Sequence, residues 1–232
     1  MNNMLVSPLL KVSPDGPVSS IFEDLIHLRQ GELDGACGPY CLVSALIALG
    51  LMDRNNIQNN MGNWKGNTRD GRFRDALYAF GVWTNEGTHG EDLLWLTDFY
   101  KRKGLEAYHV NSSKKEVFAT VCEELGERAI SIIRVNWING GAHWLLVVGY
   151  QYTETEEGTQ ATHLLCLDPG QETSKTSLWN AVIEVFNNDG SSVNLGNKSS
   201  NFWGMDGVLI KCQVKDAVVL SLSKKSTSQF IR

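Results

Sequence analysis

Residues 35–50 read GACGPYCLVSALIALG, a cysteine and a Gly-Pro pair followed by a long apolar run. Proline is tolerated in the first turn of a helix, and glycine is a common helix end, so Pro39 and Gly50 bracket a predicted buried helix. Cys37 then lies at or just before the helix N-terminus. Backbone N–H groups at that end, together with the helix dipole, favour an anion such as a thiolate. The stretch therefore predicts that Cys37 is a nucleophile.

The composition restricts the class of protein and its partners. The chain has 232 residues, of which 42% are hydrophobic and 20% charged, enough for a single domain over residues 1–232 with a substantial core. A formal charge of −5 disfavours nucleic acid or an anionic membrane as a partner, since these require a basic face. No apolar run approaches the roughly 20 residues of a membrane helix, and no secretory signal pattern opens the chain. We expect a cytoplasmic protein, compatible with delivery into another cell as an effector.

The five cysteines form an odd set without the spacing of a disulfide scaffold, which fits a reducing compartment and leaves at least one free thiol. A structural zinc site needs four ligands. Cys37, Cys41 and His143 would supply three, and no fourth stands out. We therefore expect no metal ion and no cofactor.

The apolar pattern changes from helical in the first half to alternating in the second. Strands are predicted in the second half and helices in the first, with capping boxes at Thr88–Glu91 and Ser113–Glu116. The predicted fold class is α+β. It comprises a helical lobe over about residues 15–126, a sheet lobe over about residues 127–222 and a frayed tail at 223–232. The helices are expected at 17–30, 37–50, 73–80, 88–103 and 113–126, and the strands at 129–135, 143–150, 162–168 and within 207–222.

A thiolate nucleophile needs a base, and His143 is the best placed of the five histidines. It follows the loop NWINGGA and opens the apolar strand HWLLVVGY, where a loop would present it from a rigid support. The next strand, THLLCLD, ends in Asp168. If the two strands form an antiparallel hairpin, Asp168 lies beside His143 and can orient its ring.

These residues together resemble a known family. DGACGPYCLVSALIALG with Cys37, GAHWLLVVGY with His143 and CLDPG with Asp168 are similar to the papain-like cysteine peptidases, in particular the bacterial branch that processes double-glycine leader peptides. The resemblance implies a helical lobe packed on an antiparallel sheet, with the nucleophile helix against that sheet. It also implies a Cys-His-Asp triad and a protein or peptide substrate.

The chain departs from this family at the oxyanion hole. The family usually has a glutamine six residues before the nucleophile, whereas Gly31 stands there and Gln30 precedes it. A one-residue bulge would bring Gln30 into place as the donor. The gap between Cys37 and His143 is also longer than in compact members, and the Asn- and Gly-rich segment 55–68 within it is a candidate substrate-contacting loop.

The residues support a cysteine-dependent hydrolase of amide bonds, a peptidase or an isopeptidase or amidase, acting through a thioester acyl-enzyme. Two alternatives remain at this point. An acyltransferase of the transglutaminase type would use the same triad and pass the acyl group to an amine. A non-catalytic binding module could retain the papain fold. The sequence leaves the oligomeric state open.

Overall fold

A computed structural model describes the chain at residues 2–31, 35–81, 87–126, 128–156, 158–184 and 199–223. Six antiparallel strands form a closed barrel, because β6 pairs with β5 on one side and with β7 on the other. The order around the barrel is β6-β5-β10-β9-β8-β7. These strands are β5 (Ala129–Trp137), β6 (Ala142–Thr155), β7 (Gly158–Leu167), β8 (Ala181–Glu184), β9 (Ser199–Gly204) and β10 (Leu209–Leu222).

Four further strands come from the first half of the chain: β1 (Asn2–Val6), β2 (Leu10–Ser13), β3 (Gly16–Ser19) and β4 (Leu105–Val110). β6 extends beyond β5, and β10 extends beyond β9, so that β1 pairs with the far half of β6 and β4 with the far half of β10. β2 and β3 form a separate hairpin.

The barrel separates two apolar cores, because alternate residues of a strand point to opposite faces. Leu145 and Val147 belong to the interior cluster, together with side chains of α4 (Lys114–Glu124). Trp144 and Leu146 belong to the outer cluster, which also contains α1 (Cys37–Ala48). By the same alternation His143 lies on the interior side, at the end of the barrel.

The remaining α-helices within the described ranges are α2 (Arg69–Gly81) and α3 (Gly90–Thr97). Shorter helical turns occupy Asn56–Asn60, Met61–Asn63 and Asp98–Lys103. All residues of α1 are buried except Tyr40, because the helix packs against β6, β5, α2 and α3. None of the helices in these ranges has the length and apolarity needed to cross a membrane.

The predicted fold class, a papain-like N-terminal helical lobe on a C-terminal antiparallel sheet, is wrong. The sheet closes into a barrel, and strands from the predicted helical lobe extend or accompany it. The alternating pattern identified strands but contained no information on closure, which requires β8 and β9 to bridge β7 and β10. The predicted tail at 223–232 lies outside the described residues apart from Ser223.

The predicted helix at 17–30 is also wrong. Residues 16–19 form β3, and the chain then turns through Glu23, whose φ of 61° is incompatible with a right-handed helix. The amide of Ile26 donates to the carbonyl of Pro17, so residues 17–26 form a closed loop. Ile26 and Leu28 pack onto the core without forming a helix, whereas Ile21 is exposed.

Other helix predictions are confirmed with shifted ends. α1 begins at Cys37, and the Ser113 hydroxyl caps α4 by accepting from the amide of Glu116. Gly104 ends the α3 region in the left-handed conformation, with φ of 84°. The capping interaction of α3 is one residue later than predicted, since the Asp92 carboxylate accepts from the amide of His89.

Candidate active site

Cys37 is the first residue of α1, and 6% of its surface is exposed. The residue before it, Ala36, has no side-chain oxygen that could cap the helix. The N–H groups of the first turn therefore keep their capacity to bind an oxyanion. This supports the placement of Cys37 that the Gly-Pro pair predicted.

His143 and Asp168 meet at one end of the barrel. The predicted hairpin is confirmed, with Leu146 opposite Leu167 in the antiparallel register of β6 and β7. Nε2 of His143 lies 2.6 Å from Oδ1 of Asp168. The same oxygen accepts from the amide of Gly170 at 2.7 Å, and Asp168 is 4% exposed. Two donors thus fix the carboxylate against the imidazole.

The thiol of Cys37 lies near enough to the His143 ring to contribute to its pKa. Because Nε2 is bound to Asp168, Nδ1 is the ring nitrogen left to face the sulfur. Burial lowers the pKa of His143, but hydrogen bonds to Asp168 and Cys37 and their negative charges outweigh burial and raise the pKa to about 10. We therefore expect the ring to be protonated at neutral pH, with one N–H held by the Asp168 carboxylate.

The backbone of Asp168 is held by two buried side chains that the sequence did not single out. Asn180 accepts from the Asp168 amide at 2.6 Å and donates to the Asp168 carbonyl at 3.0 Å. Nε2 of His27 lies 2.9 Å from the same carbonyl, and its Nδ1 lies 2.9 Å from the Thr173 hydroxyl. Burial lowers the pKa of His27, which favours its neutral form. Nothing in the local sequence of either residue indicates this contact.

An aromatic ring covers His143. Trp137 stacks on the imidazole, with ring centroids 5.8 Å apart and an interplanar angle of 26°, and it also contacts Phe202. Trp144, the direct neighbour of His143 in the sequence, does not cover the imidazole. Trp144 points to the outer core instead, where its Nε1 donates to the carbonyl of Thr88. The alternation of side chains along β5 could have indicated Trp137. It lies two residues after Val135 and therefore on the same interior face of the strand.

Gln30, the predicted oxyanion donor, lies at the edge of the site. Its amide donates to the carbonyl of Pro169 at 2.8 Å, which ties the segment before α1 to the residue following Asp168. This contact brings Gln30 near the triad even though it lies one position earlier than the family pattern requires. Its part in an oxyanion hole stays a prediction.

The other four cysteines are poor candidates for a nucleophile. Burial raises the pKa of Cys122 and Cys212 to about 12 and the pKa of Cys41 and Cys166 well above its usual value. Cys41, one turn after Cys37, donates to the Trp144 carbonyl at 3.3 Å. It therefore provides a matched control for Cys37 within the same helix.

Gly38 allows α1 to approach its neighbours, and Gly38→Ala is expected to destabilise the protein by about 2 kcal/mol, a typical cost of overpacking. A Cβ at this position would lie 2.1 Å from Oγ1 of Thr88 and 3.0 Å from Cδ1 of Trp144. Urea unfolding measures the effect. Gly62→Ala is the control, because its Cβ would meet nothing within 4 Å. Equal stability of the two variants would contradict this close packing.

The described residues contain no group of three or more His, Cys, Asp or Glu side chains that could hold a metal ion. The chain matches no protein-family model, and no curated protein matches it in sequence.

Proposed function

We propose that the protein is a cysteine-dependent hydrolase of amide bonds, with Cys37 as nucleophile, His143 as acid and base, and Asp168 as the group that orients His143. The observation that carries the proposal is the His143 ring, whose Nε2 lies 2.6 Å from Oδ1 of Asp168 and which lies near the thiol of Cys37. The proposed relation to papain-like peptidases rests on the three motifs alone, because the arrangement of lobes expected for that family is wrong.

In this mechanism the thiolate of Cys37 attacks the amide carbon, and the carbonyl oxygen becomes an oxyanion. The N–H of Cys37 and the side chain of Gln30 are its proposed donors. His143 gives its proton to the leaving nitrogen as the C–N bond breaks, which leaves a thioester on Cys37. The neutral ring then takes a proton from water, the hydroxide attacks the thioester, and the carboxylic acid departs as the thiolate returns.

Asp168 supports both halves of this cycle. Its carboxylate holds Nε2 of His143, so the proton exchanged with substrate is the one on Nδ1. The amide of Gly170 and the clamp of Asn180 restrict movement of the carboxylate. Trp137 covers one face of the imidazole and limits access of water to it.

Comparison of wild type with Cys37→Ala tests the function. Both proteins are incubated with a proteome digest and with glutamine- and isopeptide-containing peptides, and the products are identified by mass spectrometry. Wild type is expected to generate new carboxyl termini or deamidated glutamine, with a loss of at least a thousandfold in Cys37→Ala, because the nucleophile is essential.

Cys41→Ala is the matched control and is expected to retain activity, since Cys41 lies in the same helix but points to the core. An added primary amine distinguishes hydrolysis from acyl transfer, because a transferase would incorporate the amine in preference to water. Products that persist in Cys37→Ala, or the absence of any product from wild type, would contradict the proposal.

A further inference from the structure

A cavity of about 620 Å³ lies beside the N-terminal half of α1, on the face next to the one that carries Cys37. We refer to it as the α1–α2 cavity. Ala36, Pro39 and Val43 of the α1 region form one wall, and Leu77 of α2 belongs to the opposite side. Ala36, which lines the cavity, immediately precedes Cys37, so the cavity lies next to the proposed site. None of the three proposed catalytic residues lines the cavity.

The lining of the α1–α2 cavity is mainly apolar. Ile57 and Met61 contribute to it from the short helical turns, which fall within the Asn- and Gly-rich segment that the sequence marked as a substrate-contacting loop. Both side chains are only partly buried, so a ligand would remove further apolar surface from water. Concave, largely apolar sites of 300–1,000 Å³ are typical of ligand pockets.

Arg54 supplies a directed polar group in the same cavity. Its Nη1 donates to the carbonyls of Leu25 at 2.8 Å and His27 at 2.6 Å, which fixes the guanidinium. Its Nε and Nη2 have no hydrogen-bond partner among the described residues. Burial lowers the pKa of Arg54, and the nearby charge of Asp24 offsets part of this shift by favouring the charged form. A fixed cation with free donors beside an apolar wall suits a ligand in which an apolar group lies next to a carbonyl group.

We propose that the α1–α2 cavity binds a bulky apolar side chain of a peptide substrate, with Arg54 donating to a peptide carbonyl next to that side chain. This inference rests on the proposed function, because it takes the ligand to be a substrate. It adds the class of side chain that the protein recognises in that substrate. A small anion is not the expected ligand, because the other arginine of the cavity, Arg29, is already paired with Glu172 at 2.5 Å.

Equilibrium binding tests the cavity without depending on catalysis. Fluorescein-labelled trileucine amide and triglycine amide are titrated with the Cys37→Ala protein and followed by fluorescence polarisation. The leucine peptide is expected to bind at least tenfold more tightly, the selectivity that an apolar pocket gives for several methylene groups. Ile57→Lys, made in the same background, is expected to abolish the difference because it places a charge in the cavity.

Val12→Lys is the matched control, since it adds the same charge at an exposed β-branched residue that is not among those lining the cavity. Equal binding of the two peptides, or unchanged selectivity in Ile57→Lys, overturns the inference. In wild type, unlabelled trileucine amide is expected to protect Cys37 from iodoacetamide, and lack of protection by a bound peptide would also overturn it. Failure of the hydrolysis screen, with selective binding retained, would instead count against the proposed function.

Discussion

His143→Ala is expected to slow alkylation of Cys37 by iodoacetamide at pH 6 by about a hundredfold. An unassisted cysteine, with the usual pKa of 8.5, is only about 0.3% thiolate at this pH. A protonated imidazole beside a cysteine generally increases its reactivity, and only part of that gain is lost to the lower nucleophilicity of a stabilised thiolate. The proposed function gives His143 this role towards Cys37. The rate is followed by mass spectrometry of the peptide that contains residue 37.

Two variants make this measurement specific. Asp168→Asn keeps a hydrogen-bonding side chain of the same shape but removes the charge that holds the proton on His143, so we expect a smaller reduction, about tenfold. Cys41→Ala should leave the alkylation rate unchanged. A wild-type rate equal to that of a cysteine-containing peptide, or equal rates in wild type and His143→Ala, would exclude activation of Cys37 by His143 and favour a binding module.

The parts of this site that the sequence predicted correctly depend on local contacts. β6 and β7 are consecutive strands, so their hairpin register alone brings Asp168 to His143, whatever the rest of the fold. α1 could likewise be identified from Pro39, Gly50 and the apolar run between them. A hairpin and a helix are each specified by neighbours in the chain, and both predictions are confirmed.

The parts that the sequence failed to predict depend on distant contacts. Closure of the barrel requires β9, whose residues SSNFWG show little strand pattern, to pair with both β8 and β10. Strand formation of this kind is decided by packing and partners more than by intrinsic preference. The docking of Cys37 onto the barrel end is equally non-local, and only the resemblance to a known motif set suggested it.

The clamp on Asp168 illustrates a further limit. Asn180 and His27 bind the main chain of Asp168, so their partner is a carbonyl or amide that every residue possesses. No residue type at position 168 would reveal these contacts in advance. Buried polar groups must nevertheless be paired, which is why such side chains gather around a buried turn that carries a functional carboxylate.

The charge on His143 also predicts how stability depends on pH. Relative to a His143→Gln/Asp168→Asn double variant, wild type is expected to be most stabilised below pH 6.5 and to lose that advantage as the pH rises towards 10. Burial alone would lower the pKa of His143, but Asp168 and Cys37 raise it to about 10, whereas the unfolded chain releases this proton near pH 6.5. Folding therefore takes up a proton between these values, and an increase in pH opposes it.

Urea unfolding at pH 6, 7, 8 and 9 measures the difference. We expect the wild-type advantage in free energy of unfolding to fall by about 2 kcal/mol across this series, a cautious fraction of the roughly 1.4 kcal/mol per pH unit that one proton allows. Cys37→Ala removes one of the two groups that raise the pKa of His143, so its advantage should disappear at a lower pH than that of wild type. Parallel curves for wild type and the double variant would mean that folding takes up no proton at His143, and would leave the imidazole neutral beside the sulfur.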